Sequence, residues 1–168
     1  MKVFGIAGYS GAGKTTLLEA LIPRFVAHGL CVSLIKHTHH DFDIDQPGKD
    51  SWRLREAGCA EVMLLSNRRW ALMHELRGAA EPTLDQQLAL LSPCDLVLIE
   101  GYKDAPYPKL EVHRAANEKP LLLAASPENI VAVASDIALT LPPEIDLPVL
   151  DLSDRDGIAS FILEYLDF

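Results

Sequence analysis

Gly8-Tyr9-Ser10-Gly11-Ala12-Gly13-Lys14-Thr15 matches in full the phosphate-loop pattern G-x-x-x-x-G-K-[ST]. The residues before it, Val3-Phe4-Gly5-Ile6-Ala7, read as a short buried strand. Those after it read as a helix with Leu17, Leu18, Leu21, Ile22 and Phe25 on one side. Strand, glycine loop and helix thus stand in the order such a loop requires. Without side chains at Gly8, Gly11 and Gly13 the backbone can wrap a phosphate and aim its N–H groups inward, at the positive end of the following helix. Lys14 then bridges β- and γ-phosphates and the Thr15 hydroxyl holds Mg²⁺. Gly8, Ser10, Gly11, Ala12, Gly13, Lys14, Thr15 and the adjoining Thr16 are the candidate phosphate-binding residues.

Working outward, the first helix spans about Gly13 to His28, bent at Pro23 and stopped by Gly29. Leu30–Ile35 gives a second strand. The polar, aperiodic stretch Lys36–Ser51 is a loop at the phosphate end, followed by a short helix through Arg55 that Asp50 or Ser51 caps. Val62–Ser66 and Trp70–His74, joined by Asn67-Arg68-Arg69, form a hairpin that reads equally as a dimer contact or as the edge of the main sheet.

Thr83-x-x-Gln86 is a capping box before a helix, and Leu96–Ile99 is a continuous apolar run suited to a central parallel strand. Leu110–Val112, Leu121–Ala124, Ile130–Ala134 and Val149-Leu150 are further strand candidates. Ser153-x-x-Asp156 caps a C-terminal helix with Ile158, Phe161, Ile162, Tyr165 and Leu166 on one face. Strands alternating with helices predict a single α/β domain over residues 1–168. Its fold is that of a P-loop NTPase, a three-layer α/β/α arrangement with a mostly parallel sheet and an inserted β-hairpin.

A formal charge of −9 over 168 residues argues against a nucleic-acid binder. Cys31, Cys59 and Cys94 are odd in number and form no CxxC pair, so they read as small buried residues in a reducing cytosol. The N-terminus reaches glycines too soon for a signal peptide, and no apolar run approaches a membrane span, so a cytoplasmic protein is expected.

Leu96-Val97-Leu98-Ile99-Glu100-Gly101 is an apolar strand ending in a carboxylate. Glu100 is therefore the candidate partner of Mg²⁺ or its waters beside the loop. His37, His39, His40 and Asp41 follow the second strand, where P-loop proteins keep a segment that orders on γ-phosphate binding. Asp41 is the candidate for touching Mg²⁺ or orienting the attacking water. Among the basic residues, Lys49 and Lys103 are the best placed to face an anion, and no arginine finger or arginine lid is evident. No Asn-Lys-x-Asp guanine signature is present, but Asp136 at a strand end could accept both guanine N1–H and N2–H.

Six stretches together resemble the molybdopterin-guanine dinucleotide biosynthesis protein B (MobB) family. They are the loop through Leu18, Leu34–Asp41, Asp45–Ser51, Arg69–Met73, Ile99–Lys103 and Val131–Asp136. The resemblance implies a dimeric GTP-binding protein with weak GTPase activity. Such a protein assists the MobA-type nucleotidyltransferase that joins GMP to molybdopterin in making the guanine dinucleotide cofactor. It also places the chain near the signal-recognition and MinD-type GTPases, although Tyr9-Ser10 stands where that class has an extra lysine. Two rivals share the motif. A small-molecule kinase would need an arginine lid, and a metal-delivery GTPase would use His37, His39 and Asp41 as ligands.

Overall fold

In the computed structural model, which describes residues 1–38, 41–125 and 128–168, the chain divides into two compact units. One comprises Met1–Thr38 with Gln87–Phe168, the other His39–Gln86. The first unit contains β1 (Lys2–Ala7), α1 (Lys14–Ala27) and β2 (Val32–Lys36). After the second unit it continues with β5 (Leu96–Glu100), β6 (Lys109–His113), β7 (Ile130–Ser135), β8 (Val149–Asp151) and α4 (Arg155–Tyr165). The second unit holds α2 (Asp50–Glu56), β3 (Glu61–Leu65) and β4 (Trp70–His74). Helix α3 (Leu84–Leu90) begins in one unit and ends in the other.

The sheet of the first unit has six strands in the order β2-β5-β1-β6-β7-β8, all paired in parallel. Every residue of β5 is buried, as a central parallel strand requires. Because side chains alternate along a strand, Phe4, Ile6, Leu98, Leu110 and Val112 face α1 and α4, whose Leu17, Leu21, Phe25, Ile158 and Ile162 complete one core. Arg24 on α1 meets Asp156 on α4 at 2.6 Å. Ala7 and Val133 face the other way, into a smaller cluster with Leu122, Leu123, Leu139 and Leu147. α1 continues through Pro23 and ends at His28, with Gly29 at φ +88°.

Four local expectations are corrected. Leu122–Ala124 is a 3₁₀ helix, not a strand, because the Glu111 carboxylate accepts the N–H groups of Leu122 and Leu123 at 2.5 and 2.9 Å and withdraws them from any ladder. The cap of α4 is Asp154, whose Oδ1 accepts from Gly157 N–H at 2.8 Å, while Ser153 is turned back onto Asp151. The N-cap position of α2 is Lys49, with no side-chain cap, and Asp50 is the first helical residue. The capping box is present: Thr83 N–H donates to Gln86 Oε1 at 2.8 Å and Gln86 N–H to Thr83 Oγ1 at 3.3 Å. The cysteines are not buried, since Cys31 and Cys59 are exposed and Cys94 is half-buried.

The second unit is built around Arg55. Its guanidinium meets Glu75 at 2.9 Å, Asp43 at 2.7 Å and Asp45 at 3.0 Å, which ties the segment before α2 to the end of β4. β3 and β4 form their own antiparallel two-stranded sheet, so the hairpin is not an edge of the main one. Ser66 Oγ accepts from the N–H groups of Arg68 and Arg69 and closes the turn.

Candidate functional site

At the carboxyl ends of β1, β2 and β5, the glycine loop enters α1. Gly8, Gly11 and Gly13 have φ of +148°, +80° and +91°, and a Cβ at Gly8 would lie 2.6 Å from the carbonyl oxygen of Val112. Only glycine meets both demands. Gly13 is the N-cap of α1, so the unpaired N–H groups of the first helical turn open onto the loop.

Lys14 Nζ folds back onto the loop, donating to the carbonyls of Gly8 at 3.1 Å and Tyr9 at 3.0 Å. The Thr15 hydroxyl donates to the Glu100 carboxylate, with distances of 3.3 and 3.4 Å to its two oxygens. Lys36, the last residue of β2, joins them: its Nζ lies 3.1 Å from Thr15 Oγ1 and 3.4 Å from Glu100 Oε2. Thr15, Lys36 and the strand-end Glu100 thus meet directly, while Lys14 lies back on the loop carbonyls. Lys36 was not singled out, because β2 and β5 become neighbours only through the sheet order.

Gly101 lets the end of β5 approach the chain after β2. Its φ is +100°, a Cβ there would lie 2.7 Å from His37 O, and His37 N–H donates to Glu100 O at 2.9 Å. The His37 ring packs on Tyr102, centroids 4.9 Å apart. Lys103 Nζ lies 5.0 Å from the centroid of the Tyr9 ring. The loop that carries it is held by buried Lys109, which donates to the carbonyls of Lys103 and Ala105 at 2.8 and 2.6 Å. Burial pushes the Lys14 ammonium below its usual range. Lys103 and Lys36 add to that and Glu100 opposes it. An arriving anion would reverse the balance.

On the other flank of β1, a small, shallow open cleft is lined by residues that include Tyr9, Ala12, Val112, Arg114, Asn117 and Lys119. Asn117 Nδ2 donates to Ser10 O at 3.2 Å, and the Arg114 guanidinium lies over Gly13. Arg114 was not singled out either, because nothing in local spacing ties the end of β6 to the loop. Asp136 is exposed at the end of β7, with Oδ1 accepting from Ala115 N–H at 3.0 Å. Thr16 is exposed on the first turn of α1. Asp41 and Lys49 are exposed residues of the second unit.

Thr15 and Glu100 offer hard oxygen donors within reach of one another, the donor chemistry Mg²⁺ takes. Among the described residues no group of three or more His, Cys, Asp or Glu could hold a metal ion, and His39 and His40 lie outside them. No helix among the described residues is long and apolar enough to cross a membrane.

Residues 3–136 match the family model for MobB, molybdopterin guanine dinucleotide synthesis protein B. The chain is 44% identical over 164 residues to the molybdopterin-guanine dinucleotide biosynthesis adapter protein of Haemophilus influenzae, covering 98% of this chain and 89% of that one. It is 42% identical over 167 residues to the adapter protein of the same description from Escherichia coli, covering 98% and 93%. Its fold is similar to the crystal structure of a MobB protein homolog from Bacillus stearothermophilus, with TM-score 0.74 and 27% identity over 99% of both chains.

Proposed function

The chain belongs to the MobB family, and from that premise we propose that it is a GTP-binding adapter in molybdopterin guanine dinucleotide biosynthesis. It acts in the cytoplasm as a homodimer with slow GTPase activity, beside the MobA-type nucleotidyltransferase that joins GMP to molybdopterin. The observation that carries the nucleotide reading is the convergence of Lys14, Thr15, Lys36 and Glu100 at the mouth of the glycine loop.

The loop N–H groups and the N-terminus of α1 receive the phosphates. Lys14 leaves the Gly8 and Tyr9 carbonyls, which already hold its ammonium at the loop, and turns to the β- and γ-oxygens. Thr15 and Glu100 would hold Mg²⁺, which supplies charge neutralisation at the terminal phosphates. Asp41 orients the attacking water and Lys49 faces the anion. Asp136 accepts guanine N–H groups through the oxygen it does not give to Ala115. With charge stabilisation as the main contribution, turnover is slow and suits an adapter.

The test is equilibrium binding of fluorescent GTP and ATP with Mg²⁺ to wild type, Lys14→Ala and Asp136→Ala. GTP preference, abolished by Lys14→Ala and relaxed by Asp136→Ala, supports both ends of the site. ATP preference would move the reading to a small-molecule kinase.

A further inference from the structure

Arg114 is the first residue past β6, which lies on the opposite side of β1 from β5. A Cβ built on Gly13 would meet its guanidinium, 3.2 Å from Nε, 3.3 Å from Nη2 and 3.5 Å from Cζ. The guanidinium therefore fills the space above the loop that the missing side chain leaves, next to the N-terminus of a 14-residue helix. A helix N-terminus is a positive pole, and a cation there is disfavoured unless an anion lies between them.

Among the described residues no protein group supplies that anion. Arg114 Nε is buried without a hydrogen-bond partner, and among the described residues the guanidinium makes no hydrogen bond or ion pair. Of the carboxylates nearby in the chain, Glu111 accepts from the amides of Leu122 and Leu123 and Asp136 accepts from Ala115 N–H through one oxygen, and neither forms an ion pair with Arg114. The chain after Arg114 is held by that Asp136 bond and by the Asn117 side chain on Ser10, and the chain before it by the pairing of β6 with β7, so the arginine is aimed rather than loose.

We propose that Arg114 binds the nucleotide's phosphate chain, on the phosphates common to the di- and triphosphate. A guanidinium offers a planar fork of donors that matches paired phosphate oxygens. The choice of phosphates follows from the flank. Thr15, Lys36 and Glu100 gather on the β5 side, where the metal and terminal phosphate belong, and Arg114 stands on the β6 side. The inference rests on the nucleotide reading of the loop.

The experiment measures affinities of wild type, Arg114→Gln and Arg114→Lys for Mg·GTP, Mg·GDP and inorganic pyrophosphate, together with thermal midpoints of the nucleotide-free proteins. Arg114→Gln weakens GTP and GDP alike, by about tenfold to a hundredfold for a lost charge-assisted contact. It weakens pyrophosphate too, and Arg114→Lys recovers part. The nucleotide-free midpoint stays level or rises, because an unpaired cation leaves a positive helix end. Unchanged GTP and GDP affinities in Arg114→Gln would overturn the inference. So would a loss confined to GTP, or a fall in the nucleotide-free midpoint, which would mark a structural brace. A wild type that binds none of the three probes overturns the nucleotide reading itself, and this inference with it.

Discussion

Gly101 shows how much one missing methyl group can decide. At φ +100°, with a Cβ position 2.7 Å from a backbone carbonyl, Gly101→Ala must displace either the end of β5 or His37. The predicted cost is about 2 kcal/mol or more in urea unfolding, and a variant as stable as wild type would refute the packing argument. Lys36 allows a second prediction. Its ammonium sits on the two groups that would hold Mg²⁺, so the two cations compete for them. In a Mg²⁺ titration at saturating GDP, Lys36→Met should lower the half-saturating concentration about fivefold, a difference of roughly 1 kcal/mol. An unchanged or raised value would show that the ammonium does not occupy that place. Lys14, Thr15 and Glu100 were legible because a motif or a strand end fixes each within a few residues of chain. Lys36 and Arg114 were not, since only the sheet order brings β2 and β6 to the loop.

β6 reads in sequence as a strand half open to water, Lys-Leu-Glu-Val-His, yet Lys109 and Glu111 are both buried. Each is satisfied by backbone of another segment, Lys109 by two carbonyls and Glu111 by two amides. The same two amides turned a predicted strand into a 3₁₀ helix, a pairing that hydrophobic periodicity cannot express. Glu111→Gln keeps one acceptor and presents an NH₂ group to the other amide, so it should destabilise the fold by about 1–3 kcal/mol. The pH dependence has a definite sign. Burial pushes the Glu111 carboxyl above its ordinary value of 4.5, with the two amide bonds opposing. A raised folded-state pKa gives stability that is complete below the ordinary value and lost as pH rises through the raised one. The stability gap between wild type and Glu111→Gln should therefore be wider at low pH and narrow as pH rises. A gap that is constant or widens with pH would contradict the assignment.

At the scale of the whole molecule, sheet type, the loop end and the hairpin were legible from alternating strand and helix signals, whereas the second unit was not. Its centre is Arg55, whose partners Asp43, Asp45 and Glu75 lie before and after it in unremarkable polar sequence. The hairpin that this centre supports places Met63, Leu65, Trp70 and Leu72 on one face, by the pairing Leu65↔Trp70 and Met63↔Leu72. They are 60%, 77%, 61% and 44% exposed. A contiguous apolar face of this kind marks an association surface, and the proposed homodimer gives it an occupant. Two copies of a chain of charge −9 repel one another, so association through this face must overcome like charge with apolar burial. Salt screens the repulsion without weakening the burial. Sedimentation should then show wild type as a dimer that tightens as ionic strength rises, and Leu65→Glu with Trp70→Glu as a monomer that still binds one nucleotide per chain. A dimer that dissociates with salt, or that survives both substitutions, would place the contact elsewhere on the molecule.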